Sequence, residues 1–195
     1  MTRTASITRN TKETKISLTL DLDGTGKAEV RTGIGFFDHM MEGFARHGLF
    51  DLTLTVEGDL HVDTHHTVED TGIVLGQAIQ EAVGDKAGLA RYGHMILPMD
   101  DALMLCAVDL CGRPWLSWDV SLTHERVGSL ETETVREFFY AVSYGAMMNL
   151  HVKQLSGLND HHIIEGAFKA FARALCLATR KDERVTGVLS TKGVL

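Results

Sequence analysis

A chain of 195 residues with 44% hydrophobic and 23% charged residues is long enough for one well-buried domain, too short for two ordinary ones and too apolar to be disordered. Its formal net charge of -7 at pH 7 excludes the basic face that a sequence-independent grip on nucleic acid needs, so an anionic ligand must be met by local positive charge. No apolar run is long enough for a membrane span, Met1 to Lys15 lacks the apolar stretch of a secretory signal, and Cys106, Cys111 and Cys176 show no CxxC spacing. These features predict a cytoplasmic protein with reduced thiols and with neither nucleic acid nor membrane as partner.

In chain order, the alternation from Ile16 to Leu22, closed by Asp23-Gly24, predicts a half-buried strand entering a hairpin whose partner is Gly26 to Arg31. Phe36 to His47 carries apolar residues at helical spacing and is closed by Gly48. Leu49 to Val56 alternates as a strand, and an apolar helix follows from Val68 to about Val83. The order then repeats, with strands at Ala102 to Leu110 and Trp115 to Leu122, a helix from about Glu133 to Met148, a strand at Asn149 to Leu155 and a helix to Thr179. Phe36-Phe37 and Phe138-Phe139 occupy matching places in the two halves. The expected fold is α+β: one domain of two β-β-α-β-α halves, about 1–92 and 93–195, with helices on one side of largely antiparallel sheets. Gly72 and Gly76, four apart on a predicted helix, each cost roughly 1 kcal/mol against Ala, which close helix packing would offset.

Each second helix opens on the same five-residue pattern, HHxxE, at His65-His66-Thr67-Val68-Glu69 and again at His161-His162-Ile163-Ile164-Glu165. With 10 His and 12 Glu in the chain, chance supplies roughly 0.03 copies per chain. Two copies point to a duplicated metal site. On a helix, residues four apart share a face, so His65 with Glu69, and His161 with Glu165, can each grip one ion. The neighbouring His66 and His162 point about 100° away at 3.6 residues per turn, and so serve a different ion. This divergence predicts that the two segments bind metal jointly across subunits. Imidazole and carboxylate without thiolate fit Mn, Fe, Zn or Ni better than Mg or Ca, and neither copy has the order of a zincin. His39, early in its helix, is a further imidazole candidate, and Glu42 and Glu137 lie on the helices preceding each strand.

Cations near turns or near the motif helix form a second cluster: Arg91 beside Tyr92-Gly93, Arg113 between Gly112 and Pro114, Lys169 one turn after Glu165, and Lys192 close after Ser190. Arginine forks and a lysine beside a hydroxyl suit a phosphate oxyanion. No GxxxxGK[ST] loop is present, so a nucleoside triphosphate is not indicated.

The segments GIGFFDHM, DTHHTVEDTGIVLG, CGRPW, LNDHHIIEGAFKAFARAL and STKG resemble imidazoleglycerol-phosphate dehydratases of histidine biosynthesis, and the resemblance runs through nearly the whole chain. It implies a duplicated subunit of the ribosomal protein S5 domain 2-like type, two Mn²⁺ ions per active site, and a 24-subunit shell that assembles with the metal and holds its sites at subunit interfaces. By resemblance the metal ligands are His39, His65, His66, Glu69, His161, His162 and Glu165. Glu137 stands where family members often carry His, and is expected as the eighth ligand. Substrate contacts fall by resemblance to Glu13, Arg91, Arg113, Lys169, Ser190 and Lys192, the last five forming a phosphate pocket, with His39, His65, Glu69 and His161 also facing the substrate.

The implied reaction dehydrates imidazoleglycerol phosphate to imidazoleacetol phosphate. The proton to be removed sits on carbon without a neighbouring carbonyl, so a metal-bound imidazole must accept electrons instead. Loss of hydroxyl from the attached carbon through a diazafulvene-like intermediate then acidifies the next C–H. Glu165 is expected to take part in ring deprotonation, with Glu13 as a second candidate for proton handling. Two rival readings are a two-metal phosphoesterase, distinguished by phosphate release, and a metal-stapled shell protein, which leaves the phosphate pocket unexplained.

Overall fold

The computed structural model describes residues 3–195. The first half runs β1 (Thr4–Asn10), β2 (Thr14–Asp21), β3 (Ala28–Arg31), α1 (Gly35–Gly48), β4 (Asp51–Gly58) and α2 (His65–Val83). The second runs β5 (Tyr92–Met99), β6 (Ala102–Asp109), β7 (Trp115–Asp119), the short hairpin β8 (Arg126–Val127) and β9 (Leu130–Glu131), α3 (Glu133–Gly145), β10 (Asn149–Ser156) and α4 (Asp160–Ala178). The duplicated α+β architecture stands, and each half opens on one strand more than the sequence pattern suggested.

Each half builds a four-stranded sheet with the same topology, β1-β2-β4-β3 in the first and β5-β6-β10-β7 in the second. Pairing is antiparallel except for β3 on β4 and β7 on β10, which run parallel. The expected hairpin between Ile16–Leu22 and Gly26–Arg31 is not formed. β2 pairs instead with β1 and β4, and β3 lies on the far edge of β4. The reason is the Asp51 carboxylate, whose Oδ1 accepts from the backbone N–H of Thr25 at 2.7 Å and of Lys27 at 2.9 Å. It draws the chain after β2 across the end of β4. Gly24 makes the passage possible, since a Cβ there would lie 2.2 Å from the backbone nitrogen of Asp51.

The helices cover the inner faces of the sheets and cross between halves. α2 lies on β1 and β2, α4 on β5 and β6, while α2 packs against α3 and α1 against α4. The glycines set that approach. A Cβ on Gly72 would meet the Phe138 carbonyl oxygen at 2.7 Å, and one on Gly76 the Val142 carbonyl oxygen at 2.7 Å. The matching phenylalanines meet in the core, with Phe37 edge-on to Phe138 at 5.4 Å between centroids and Phe138 stacked on Phe168 at 5.0 Å. Burying such rings contributes about 2–3 kcal/mol each. Among the described residues no helix is long and apolar enough to cross a membrane.

Candidate active site

Three helix starts carry the candidate ligands, and side-chain carboxylates or amides fix each of them. Before α1, Asp38 Oδ1 accepts from Thr32 N–H at 2.8 Å and from Thr32 Oγ1 at 2.6 Å. Before α2, Asp63 Oδ1 accepts from the backbone N–H of His65 at 2.8 Å. Before α4, Asn159 Oδ1 accepts from the N–H groups of His161 at 2.9 Å and His162 at 3.4 Å. At α2 and α4 these bonds satisfy donors left open in the first helical turn, whereas at α1 the Asp38 carboxylate ties the preceding residue to the helix.

The i, i+4 pairs meet as the spacing predicts: His65 Nε2 lies 3.5 Å from Glu69 Oε2, and His161 Nε2 lies 3.2 Å from Glu165 Oε2. His39 joins the second pair, with Nε2 3.8 Å from Glu165 Oε1. The ligand atoms of His39, His161 and Glu165 all lie within 4.8 Å of one another, and this is the one such group of three among the described residues. The His39 and His161 side chains are 52% and 44% exposed, whereas Glu165 is 10% exposed, so the cluster faces outward on a buried carboxylate. Burial pushes the Glu165 carboxyl up, but the hydrogen bond and charge of Lys169, with His39 and His161, hold it below the usual carboxylate range.

His66 and His162 face elsewhere. Their ring planes are turned 89° and 76° from those of His65 and His161. His66 Nδ1 lies 3.0 Å from Asp59 Oδ2, and His162 Nδ1 lies 2.6 Å from Asp101 Oδ1. Each carboxylate hydrogen bond raises the proton affinity of its imidazole and pins the ring through Nδ1, leaving Nε2 of His162 3.3 Å from Asp100 Oδ2. Glu13, in the β1–β2 turn, approaches His66, with Oε1 3.9 Å from Nε2. Glu137 pairs with Arg136 at 2.7 Å and lies outside the cluster of three.

Arg91, Arg113, Ser190 and Lys192 line one cavity of about 750 Å³. Arg91 is fixed there by a bidentate pair with Asp109, at 2.7 Å and 3.1 Å, and by donation to the Leu189 carbonyl at 2.7 Å. The Asp109 carboxylate keeps the guanidinium even more firmly protonated than usual. Lys169 does not line this cavity; its ammonium lies 2.7 Å from Glu165 Oε1.

The family model described as imidazoleglycerol-phosphate dehydratase matches residues 32–175. The chain belongs to the imidazoleglycerol-phosphate dehydratase family. Curated dehydratases from Lachnoclostridium phytofermentans and Acetivibrio thermocellus are 62% and 57% identical, with all of each chain covered. The solved dehydratase from Staphylococcus aureus is 38% identical at a TM-score of 0.83, covering 92% of this chain and 99% of its own. The Pyrococcus furiosus dehydratase, solved in complex with (S)-C348, is 39% identical at a TM-score of 0.84, covering 97% of this chain and 100% of its own. The protein is thus a hydro-lyase, and its function is imidazoleglycerol-phosphate dehydration in histidine biosynthesis. This membership sets aside the phosphoesterase and shell-protein readings as the primary activity.

Three acidic residues of this dehydratase escaped the sequence reading. Asp59 and Asp101 stand behind the second histidine of each motif, and Asp109 stands behind Arg91. In the sequence they look like turn or strand-end acids, and their partners are 7, 61 and 18 residues away.

Proposed function

We propose that the dehydration takes place at a composite site holding two Mn²⁺ ions, completed by residues of neighbouring copies in a 24-subunit cytoplasmic shell. The observation that carries this reading is the division of the donors within one chain. His39, His161 and Glu165 converge, while His66 and His162 lie outside that group, each braced at Nδ1 by a carboxylate. Half-sites of this kind are completed by another copy. The donor set fits the ion, because neutral imidazole and carboxylate without thiolate suit Mn²⁺, and carboxylate-to-histidine hydrogen bonds are the usual support behind metal-binding imidazole.

Bound manganese would supply Lewis acidity at the substrate imidazole, making the ring an electron sink. Arg91, Arg113, Ser190 and Lys192 hold the phosphate through the cavity they share, the arginines by their forks. Glu165, ionised at neutral pH beside Lys169, takes the proton from the substrate's ring nitrogen, and the ring's electrons expel the hydroxyl from the attached carbon. Removal of hydrogen from the next carbon completes the loss of one water, and the resulting enol becomes the ketone. Glu13, close to His66, serves the other proton movement. Lys169, 2.7 Å from Glu165 Oε1, neutralises that carboxylate between transfers. Glu137, as the eighth ligand, would be reached from another copy.

Metal analysis together with a product assay tests the proposal. Chelated protein should lose turnover of imidazoleglycerol phosphate and regain it on addition of Mn²⁺, with no inorganic phosphate released. Full turnover by verified metal-free protein would overturn it.

A further inference from the structure

The two halves match strand for strand except at one place. Three residues, 32–34, join β3 to α1, whereas thirteen, 120–132, join β7 to α3 and contain the β8–β9 hairpin. This added segment reaches the start of both motif helices. On one side, Glu131 Oε2 accepts from the Thr64 backbone N–H at 3.0 Å and from Thr64 Oγ1 at 2.8 Å. Thr64 immediately precedes His65, and its own side chain caps none of the α2 N–H groups. On the other side, Asp160 Oδ2 accepts from the backbone N–H groups of Thr123 at 2.9 Å and His124 at 2.7 Å, and lies 2.8 Å from His124 Nδ1. Asp160, only 3% exposed, immediately precedes His161.

The segment between these arms is braced as one body. Thr132 N–H donates to the Glu125 carbonyl at 2.9 Å and Thr132 Oγ1 to the His124 carbonyl at 2.6 Å. Arg126 pairs with Glu131 Oε1 at 2.5 Å, and Leu130 is buried in the core. The hairpin turn also touches α1. A Cβ on Gly128 would sit 3.6 Å from Phe36 Cβ, and the Phe36 ring lies 4.8 Å from that of His161. The segment thus meets the starts of α1, α2 and α4, the helices of His39 and of the two motifs.

We propose that the β8–β9 segment is a clamp that fixes the two HHxxE helix starts relative to each other, with Glu131 and Asp160 as its positioning residues. First helical turns fray most readily, and the bonds from Asp63 and Asn159 tie each start only to its own preceding residues, so the two starts keep a fixed separation only when joined from outside. The duplication places the two motifs on helices packed against separate sheets, and the unduplicated segment joins them. The clamp's consequence for metal binding rests on the metal reading above, whereas the clamp itself does not.

The test uses the full chain and two readouts: amide hydrogen exchange in the metal-free protein, and Mn²⁺ affinity by chelator competition. Glu131→Ala should speed exchange at residues 65–68 by about tenfold or more without changing β2 and β4. It should also weaken Mn²⁺ binding by about 10–100-fold. Glu131→Gln, which keeps an oxygen for the Thr64 N–H, should recover most of both. Glu125→Ala, an exposed change on the same segment, should match the parent. If Glu131→Ala does not fold, Thr64→Val removes the hydroxyl arm and should show the same effects more weakly. Exchange and affinity within twofold of the parent in Glu131→Ala, or faster exchange spread evenly over both sheets, would overturn the clamp. Local exchange that rises in a chain whose parent binds no Mn²⁺ would support the clamp and overturn the metal reading.

Discussion

Asp101 Oδ1 lies 2.6 Å from His162 Nδ1, and the same carboxylate accepts through Oδ2 from the backbone N–H groups of Leu158 and Asn159. His162 and these N–H groups hold the Asp101 carboxyl far below the usual carboxylate range. The turn between β5 and β6 therefore fixes both the entry to α4 and the ring of its second histidine. Asp59 holds only the ring of His66, at 3.0 Å. Asp101→Ala or Asp59→Ala should leave the i, i+4 pairs in place and weaken Mn²⁺ binding by about 10–100-fold, the usual cost of losing the support behind a metal-binding histidine. Chelator competition measures this, and affinities equal to the parent's would remove His162 and His66 from the ligand set.

Glu165 and Glu69 hold equivalent places in the two motifs, but only Glu165 has a lysine one turn later, at 2.7 Å. Glu165→Gln keeps an oxygen donor and removes the base, so an assembled, metal-loaded particle should turn over about 10²-fold more slowly at saturating Mn²⁺. Glu69→Gln should act through metal affinity and recover in part with added Mn²⁺. Near-normal turnover of Glu165→Gln under those conditions would make it a ligand only and move the base to Glu13.

Arg113 shares the 750 Å³ cavity with Arg91, Ser190 and Lys192 and, unlike Arg91, has no carboxylate partner among the described ion pairs. Arg113→Lys retains the charge and loses the fork, so KM should rise about tenfold or more with a smaller change in kcat. Steady-state kinetics on the phosphorylated substrate decide this. An unchanged KM would place the phosphate elsewhere.

A Cβ at Gly72 would lie 2.7 Å from the Phe138 carbonyl oxygen and 2.9 Å from Ala141 Cβ, whereas one at Gly43 would meet nothing within 4 Å. Helix propensity favours Ala by about 1 kcal/mol at either position, but overpacking costs about 1–3 kcal/mol where backbone cannot move aside. Gly72→Ala should therefore destabilise the metal-free chain and Gly43→Ala should stabilise it or leave it unchanged. Urea unfolding gives the sign of each.

The features legible in the sequence are those whose geometry is local. Spacing of four sets His65 against Glu69 and His161 against Glu165, and glycines four apart mark a close helix contact, which α2 makes with α3. β1 and β5 were missed because they are edge strands. Thr4–Asn10 is polar and offers few inward side chains, and Tyr92–Met99 contains Gly93 and Pro98, which weaken a strand signal and are tolerated at an edge. The apparent hairpin at Asp23-Gly24 was overridden by Asp51, a residue 26 positions away from its Thr25 contact. The carboxylates behind His66, His162 and Arg91 were hidden for the same reason, since side-chain pairing across loops leaves no periodic trace. Lys169 shows the limit of local reasoning. One turn from Glu165, it is expected in the sequence as a phosphate ligand, and within the chain its ammonium lies 2.7 Å from that carboxylate.

The central claim is that the divided donor set links metal binding to assembly, and sedimentation of the purified protein before and after verified metal removal tests it most directly. Removal should break a 24-subunit particle into smaller species that have lost activity, and Mn²⁺ should restore size and turnover together, because a ligand set shared between copies couples the two equilibria. A particle whose size and turnover are both unchanged after its metal has been removed would contradict the account.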